Sequence, residues 1–216
     1  MREAVIQKIL DEKVIAIVRG FYGEECLNLA KALLAGGVGL LEVTFDQKDE
    51  TERLRTVDTL KLLNRELGDR MAFGAGTVTT PEMVLQAKEA GAKFIISPDT
   101  DPAVIRATVE AGLVSIPGAL TPTEIKQAHV HGADFVKIFP AGTMGASYVK
   151  AVTAPLSHIR MLAVGSVDGS NIRDYLAAGA VGAGVASCLF KKDWIKAGEW
   201  DRITEATKAF CAVCRG

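Results

Sequence analysis

A lysine in the middle of an apolar strand is the first residue in this chain equipped for covalent chemistry. The run Phe135-Val-Lys-Ile-Phe-Pro-Ala-Gly142 is rich in aromatic and β-branched residues and is punctuated by Pro140 and Gly142, the composition of a buried strand. Alternation along a strand sends Phe135, Lys137 and Phe139 to one face and Val136 and Ile138 to the other. A lysine amine taken out of water loses basicity and becomes a nucleophile near neutral pH. The alternative is a lysine near a strand end whose stem lies along apolar surface while its ammonium reaches water.

Glu42 is the second such residue. It lies within Leu40-Leu-Glu-Val-Thr44, on the same alternating face as Leu40 and Thr44. A carboxylate in that position is expensive to bury unless it is paired or working. An inward acid and an inward lysine from different strands suit imine formation: the lysine attacks a carbonyl, and the acid moves protons as carbinolamine and imine form. The same two residues could instead form a structural buried ion pair.

Elements able to bring the two together recur along the chain. Ala35-Gly-Gly37, Ala90-Gly-Ala92, Ala111-Gly112, His131-Gly-Ala133 and Ala178-Gly-Ala180 each end an amphipathic stretch and lead into a short apolar run. Glycine just past a helix end takes the left-handed conformation at little steric cost. Each unit is therefore a helix followed by a buried strand, the pattern of parallel βα units. Adding Val14–Val18, Met71–Ala75 and Met161–Val164 gives eight strands. Cys26, Leu29, Ala30 and Leu33 form one helical stripe, and Leu54, Val57 and Leu60 begin another. Thr121-Pro-Thr-Glu124 carries a cap, a first-turn proline and a capping-box glutamate, and Asp101-Pro102 repeats the cap–proline pair. An extra helix over 2–10 and an amphipathic tail over 193–213 complete the chain. Eight units in 216 residues predict a single-domain α/β (β/α)₈ barrel over 1–216, with an additional N-terminal helix. The rival, a doubly wound sheet binding a dinucleotide, needs a Gly-x-Gly-x-x-Gly turn after its first strand, and none stands there.

Bulk composition narrows the partners. The formal net charge is −1, so no broad field favours nucleic acid or a membrane surface. No apolar run reaches membrane-spanning length, and Met-Arg-Glu-Ala lacks the apolar core of a signal peptide, so the expected compartment is the cytoplasm. Cys26, Cys188, Cys211 and Cys214 show no disulfide framework. Cys211-Ala-Val-Cys214 is a weak zinc signal and reads better as small apolar residues on a helix face. His129 and His131 fall around a helix end and His158 in a loop, none with a set of metal-ligand neighbours.

Active sites of such barrels occupy the carboxyl ends of the strands. Those positions here are Arg19, Glu42, Thr44, Asp46, Thr77, Ser97, Pro117, Lys137, Phe139, Gly165, Ser166 and Ser187. Gly165-Ser-Val-Asp-Gly-Ser170 and Ala183-Gly-Val-Ala-Ser187 follow or surround the last two strands, where backbone N–H groups commonly hold a phosphate. Gly74-Ala-Gly-Thr77 permits close approach of a ligand and offers a hydroxyl to a carboxylate.

Leu41-Glu-Val-Thr44, Gly74-Ala-Gly-Thr-Val78, Ile96-Ser-Pro98, Ile116-Pro-Gly118 and Phe135-Val-Lys-Ile-Phe-Pro-Ala141 occur in this order. In these motifs, nearly end to end, the chain resembles the class I 2-keto-3-deoxy-6-phosphogluconate (KDPG) and 4-hydroxy-2-oxoglutarate (KHG) aldolases. The resemblance implies a (β/α)₈ fold, a homotrimer, no metal or organic cofactor, and a small 2-keto acid substrate. It makes Lys137 the Schiff-base lysine and Glu42 the general acid/base. Thr77 matches the threonine that holds the pyruvate carboxylate, Phe139 an aromatic lining residue, and Gly165, Ser166 and Ser187 the distal phosphate site. Many members carry arginine where this chain has Asp46, and some have it at the end of the first strand, where Arg19 stands; the alternative for Arg19 is a salt bridge with Asp46. Many members also read Gly-Gly where this chain reads Gly165-Ser166. Arg19, Thr44, Thr77, Phe139, Gly165, Ser166 and Ser187 are thus the expected substrate contacts. The implied reaction is cleavage of a 2-keto-4-hydroxy acid to pyruvate and an aldehyde, glyceraldehyde 3-phosphate or glyoxylate. The alternatives are an aldolase for another 2-keto-3-deoxy sugar acid such as the 6-phosphogalactonate, a phosphosugar isomerase or synthase, and a non-catalytic metabolite-binding barrel.

Overall fold

Glycine and proline punctuation sets the element boundaries in a computed structural model that describes residues 2–216. In chain order the first elements are α1 (Arg2–Glu12), β1 (Val14–Val18), α2 (Gly23–Ala35), β2 (Leu40–Thr44), α3 (Glu50–Leu67), β3 (Ala72–Gly76), α4 (Pro81–Glu89), β4 (Phe94–Ile96) and α5 (Pro102–Glu110). They are followed by β5 (Val114–Ile116), β6 (Gly118–Ala119), α6 (Pro122–Val130), β7 (Val136–Ile138), α7 (Ala141–Thr153), β8 (Met161–Val164), α8 (Ile172–Ala177), β9 (Gly182–Val185), α9 (Lys192–Lys196) and α10 (Trp200–Arg215). Gly37, Gly91, Gly112, Gly132 and Gly179, which follow helices, all have positive φ, between 76° and 102°. At the other helix ends Thr80, Asp101 and Thr121 precede proline, and each side chain accepts a first-turn N–H. The Thr121 cap is a full capping box, closed by the Glu124 carboxylate accepting Thr121 N at 2.7 Å.

All strand pairs are parallel, in the order β5-β4-β3-β2-β1-β9-β8-β7-β6. The two ends of that order, β5 and β6, are separated in the chain only by Pro117. They are the two halves of the fifth stave, so nine segments stand where eight strands were expected. β5 pairs with β4, and β6 pairs with β7 through Gly118↔Lys137 and Ala119↔Ile138. Proline has no N–H to donate, which interrupts the ladder, while its carbonyl accepts Lys137 N at 2.8 Å and closes the barrel.

Two apolar layers follow from strand alternation. Outward residues such as Val14, Val43, Val136 and Ile138 pack under the helices with Leu29, Leu33, Leu60 and Leu63. Inward residues near the amino ends of the strands, including Ile15, Leu40, Phe94 and Phe135, meet Val5, Ile6 and Ile9 of α1, which plugs that end. Asp134 fixes the plug, accepting from Arg2 Nη2 at 2.9 Å and Nε at 3.2 Å, and from Ser115 N at 2.9 Å.

Two expectations need correction. Leu54 is 57% exposed, and the buried face of α3 is Thr56, Thr59, Leu60, Leu63 and Leu67. Its threonines are buried at no hydrogen-bonding loss because each hydroxyl donates to the carbonyl four residues back, Glu52 O and Arg55 O, which apolar periodicity cannot register. The carboxyl-terminal tail is two helices, broken where Gly198 takes φ +69°. Cys211 and Cys214 do lie buried on one face of α10, and the rings of His129 and His158 meet edge to face at 5.2 Å. No helix among the described residues is long and apolar enough to cross a membrane.

Candidate active site

The carboxyl end of the barrel is built from residues that the strands aim inward. On β7, Val136 and Ile138 enter the helix layer and Phe135 the barrel interior, which leaves Lys137 pointing into the cleft above Phe135. Lys137 is only 8% exposed, so it does not snorkel to water; its Nζ lies 4.7 Å from the centre of the Phe139 ring. Burial pushes the amine below its ordinary basicity; Glu42 opposes that shift, Arg19 adds to it and Asp99 opposes it.

Glu42 is 2% exposed, one layer above Leu40 on β2. Its carboxyl lies across Gly76 of β3: a Cβ on that residue would fall 1.6 Å from Glu42 Oε1. Glycine is required there, because any side chain would occupy the carboxylate's position. Burial pushes the Glu42 carboxyl up to about 7, against the pull of Lys137 and Arg19. No ion pair joins Glu42 to Lys137 among the described residues, and Glu42 Oε2 has no hydrogen-bond partner in the protein. The pair therefore shares one apolar environment without being locked as a salt bridge. Both groups are drawn toward their neutral forms, which leaves each free to exchange a proton near neutrality.

Arg19, just past β1, reaches across β2 and donates from Nη2 to Thr77 Oγ1 at 2.8 Å. Thr77 holds φ +56°, an uncommon conformation for a β-branched residue, and it turns the hydroxyl toward this guanidinium. The alternative Arg19–Asp46 salt bridge is not formed. Asp46 Oδ1 accepts Lys48 N at 2.7 Å and Asp49 N at 2.9 Å, bonds that hold its carboxyl below the usual range. The cleft's guanidinium thus comes from Arg19, with Asp46 turned to its own loop.

Across the cleft, Gly165 and Ser166 have φ +96° and +54°. Their carbonyls accept Gly142 N at 2.8 Å and Asn171 Nδ2 at 3.0 Å, which ties the loop after β8 to α7 and to the start of α8. Ser187 follows β9 on the adjoining edge.

Arg19, Glu42, Thr77, Lys137, Phe139, Gly165, Ser166 and Ser187 line a single cleft of about 280 Å³. Thr44 faces inward but lies beneath it, 2% exposed, and does not line it. Ser97, Pro117 and Asp46 also stand outside the lining. Sequence reasoning missed the apolar walls, Ile17, Pro98, Val164, Val167, Val185 and Ala186. Their strand-end positions were the available signal, but aliphatic residues there are indistinguishable from core. Among the described residues no group of three or more His, Cys, Asp or Glu side chains is placed to hold a metal ion.

A parallel (β/α)₈ barrel with a buried amine, a buried acid and a guanidinium in one carboxyl-end cleft has the makings of a barrel that handles keto acids through an amine. The sequence profile described as KDPG and KHG aldolase matches residues 5–206. The KHG/KDPG aldolase of Escherichia coli K12 is 35% identical over 189 residues, covering 86% of this chain and 84% of that one. A probable 2-dehydro-3-deoxy-6-phosphogalactonate aldolase of Rhizobium meliloti is 32% identical over 208 residues, covering 96% and 95%. Among solved structures, KDPG aldolase from Legionella pneumophila, with pyruvate captured at low pH as a covalent carbinolamine, superposes with a TM-score of 0.84 at 29% identity, covering 97% of this chain and 98% of that one. The chain belongs to the KDPG and KHG aldolase family and is a carbon–carbon lyase.

Proposed function

We propose that this aldolase cleaves a 2-keto-4-hydroxy acid, KDPG or KHG, through a Schiff base on Lys137. The observation that carries this is Lys137 itself: a buried amine of lowered basicity, open to the cleft and free of any ion pair among the described residues. The neutral amine adds to the C2 carbonyl, and the carbinolamine loses water to give a protonated imine. Glu42 as carboxylate takes the proton of the C4 hydroxyl while the C3–C4 bond breaks and its electron pair moves into the imine, leaving an enamine and releasing the aldehyde. A carboxyl titrating at about 7 is suited to accept that proton and return it to C3 of the enamine. Addition of water to the resulting imine then frees pyruvate and restores the amine. Arg19 and Thr77 hold the C1 carboxylate, which pairs with the guanidinium and accepts from the hydroxyl. Phe139 covers the imine, and the loops carrying Gly165, Ser166 and Ser187 receive the distal end, as phosphate or as the second carboxylate.

A second substrate, the 6-phosphogalactonate epimer, is favoured by the Rhizobium meliloti relative, which aligns over 96% of this chain. The likeness to the family supports a cytoplasmic homotrimer working in carbohydrate breakdown, a state that sedimentation equilibrium reads directly. Pyruvate release from KDPG, its galactonate epimer and KHG, measured side by side, tests the reaction and ranks the substrates. Turnover of at least one by wild type and of none by Lys137→Ala is expected. Equal turnover by the variant would exclude the Lys137 imine, and no turnover of any substrate would exclude these substrates.

A further inference from the structure

Two buried side-chain oxygens among the described residues lack a hydrogen-bond partner in the protein, and they are neighbours: Glu42 Oε2 and Thr44 Oγ1. Both belong to β2, two residues apart, and so share its inward face. Gly76 brings them closer than strand spacing alone. It is the register partner of Thr44, and the Glu42 carboxyl occupies the place where a Gly76 side chain would stand, 1.6 Å from its Cβ position. The carboxyl therefore rises along the strand to the level of Thr44, within about one strand spacing, ~5 Å, of it. No direct hydrogen bond joins them. A buried donor or acceptor left unpaired costs about 1–3 kcal/mol, and native interiors meet that need with ordered water bonded to several polar groups. The Thr44 hydroxyl lies below the cleft, while its carbonyl is separately occupied by Thr56 Oγ1 at 3.2 Å.

We propose that Thr44 is a positioning residue for Glu42: its hydroxyl and the Glu42 carboxyl hold one water between them, and through that water Glu42 exchanges protons with the reacting carbon and oxygen. The inference rests on Glu42 as the acid/base of the proposed reaction. It changes the role of Thr44 from substrate contact to support for the proton carrier. The charged groups facing Glu42 are Lys137 from β7 and Arg19 past β1, while β3 presents Gly74, Gly76 and Thr77, none charged. With no nearby acid or base to substitute, loss of the hydroxyl releases the water, removes a donor from the carboxylate and disfavours its anionic form.

The test uses deuterium uptake into the pyruvate methyl group, read by NMR, which requires imine formation and proton transfer but no aldehyde. Thr44→Val keeps shape and strand propensity. It should slow exchange by about 10- to 100-fold, the scale expected when a reacting group is displaced by about an ångström. Its carboxyl-dependent limb should move to higher pH by roughly half a unit as a donor to the anion is lost. Borohydride trapping of pyruvate on Lys137 should persist. Thr44→Ser should restore both rate and pH profile. Wild-type rate and profile in Thr44→Val, or equal impairment in Thr44→Ser, would overturn the inference. So would high-resolution diffraction of wild type showing both oxygens bonded to protein atoms without a shared water, a measurement that needs no variant to fold. Glu42→Gln separates the two levels: normal exchange there removes the acid/base assignment and this inference with it, whereas slow exchange in Glu42→Gln beside normal exchange in Thr44→Val removes the Thr44 role alone.

Discussion

The two ends of this barrel share the same strands and are built on opposite principles. At the amino end, inward Ile15, Leu40, Phe94 and Phe135 interlock with Val5, Ile6 and Ile9 of α1, and the polar members, Arg2, Asp134 and Ser115 N, satisfy one another. At the carboxyl end, two or three residues further along the same strands, stand a buried lysine, a buried acid without an ion partner, and Thr77 and Ser166 at positive φ. One end is closed and satisfied, and the other is strained, glycine-lined and electrostatically unresolved. The contrast separates stability from chemistry: the plugged end supplies the free energy that lets the open end keep groups that destabilise the fold.

That separation can be broken by substitution at either end. Ile9→Ala, in the fully buried plug, should cost about 2–4 kcal/mol of stability by leaving a cavity, while kcat of the folded enzyme stays within about twofold. Denaturant unfolding and steady-state kinetics read the two effects, and a large kcat loss would show that the ends are coupled. Gly76→Ala should do the reverse. Its methyl group must displace the Glu42 carboxyl, so kcat should fall by about 100-fold, worth about 2.7 kcal/mol in the barrier. Pyruvate trapping on Lys137 should survive, and full activity would place the working acid elsewhere.

Glu42→Gln sharpens the comparison through pH. Burial raises the folded-state value of Glu42 from the ordinary 4.5 to about 7, so the native state binds that proton more tightly than the unfolded chain. The resulting stabilisation is complete below about pH 4.5 and is lost as pH rises through about 7. Above that, an ionised Glu42 burdens the fold. The glutamine variant should therefore be more stable than wild type at pH 8 by about 1–3 kcal/mol, with the difference shrinking toward pH 5. Its turnover should meanwhile be slow. Thermal melts across that range decide the matter; a pH-independent difference would mean that Glu42 titrates normally.

Much of the site was legible because strand alternation is a strong rule. Once Lys137 and Phe135 share a face, the lysine must stand in the cleft or the barrel interior, and Glu42 follows from Leu40 in the same way. The helix-ending glycines and cap–proline pairs were legible for a similar local reason. Features that depend on a neighbouring strand were not. Gly76 reads as a flexible loop glycine until its register with Thr44 and the lean of Glu42 are known. Pro117 splits the fifth stave because of which neighbour each half bonds. The partner of Arg19 was open between substrate, Asp46 and solvent, and the backbone bonds that capture Asp46 settled it toward Thr77. Leu54 and the break at Gly198 escaped because apolar periodicity counts neither satisfied threonines nor a single left-handed residue.

The central claim is that one particular amine forms the imine, and reductive trapping tests it most directly. Wild-type protein incubated with pyruvate and borohydride, digested and mapped by mass spectrometry, should carry a single reduced pyruvate adduct on the peptide containing Lys137, and Lys137→Ala should carry none. An adduct on another lysine, or labelling undiminished in the variant, would contradict the account.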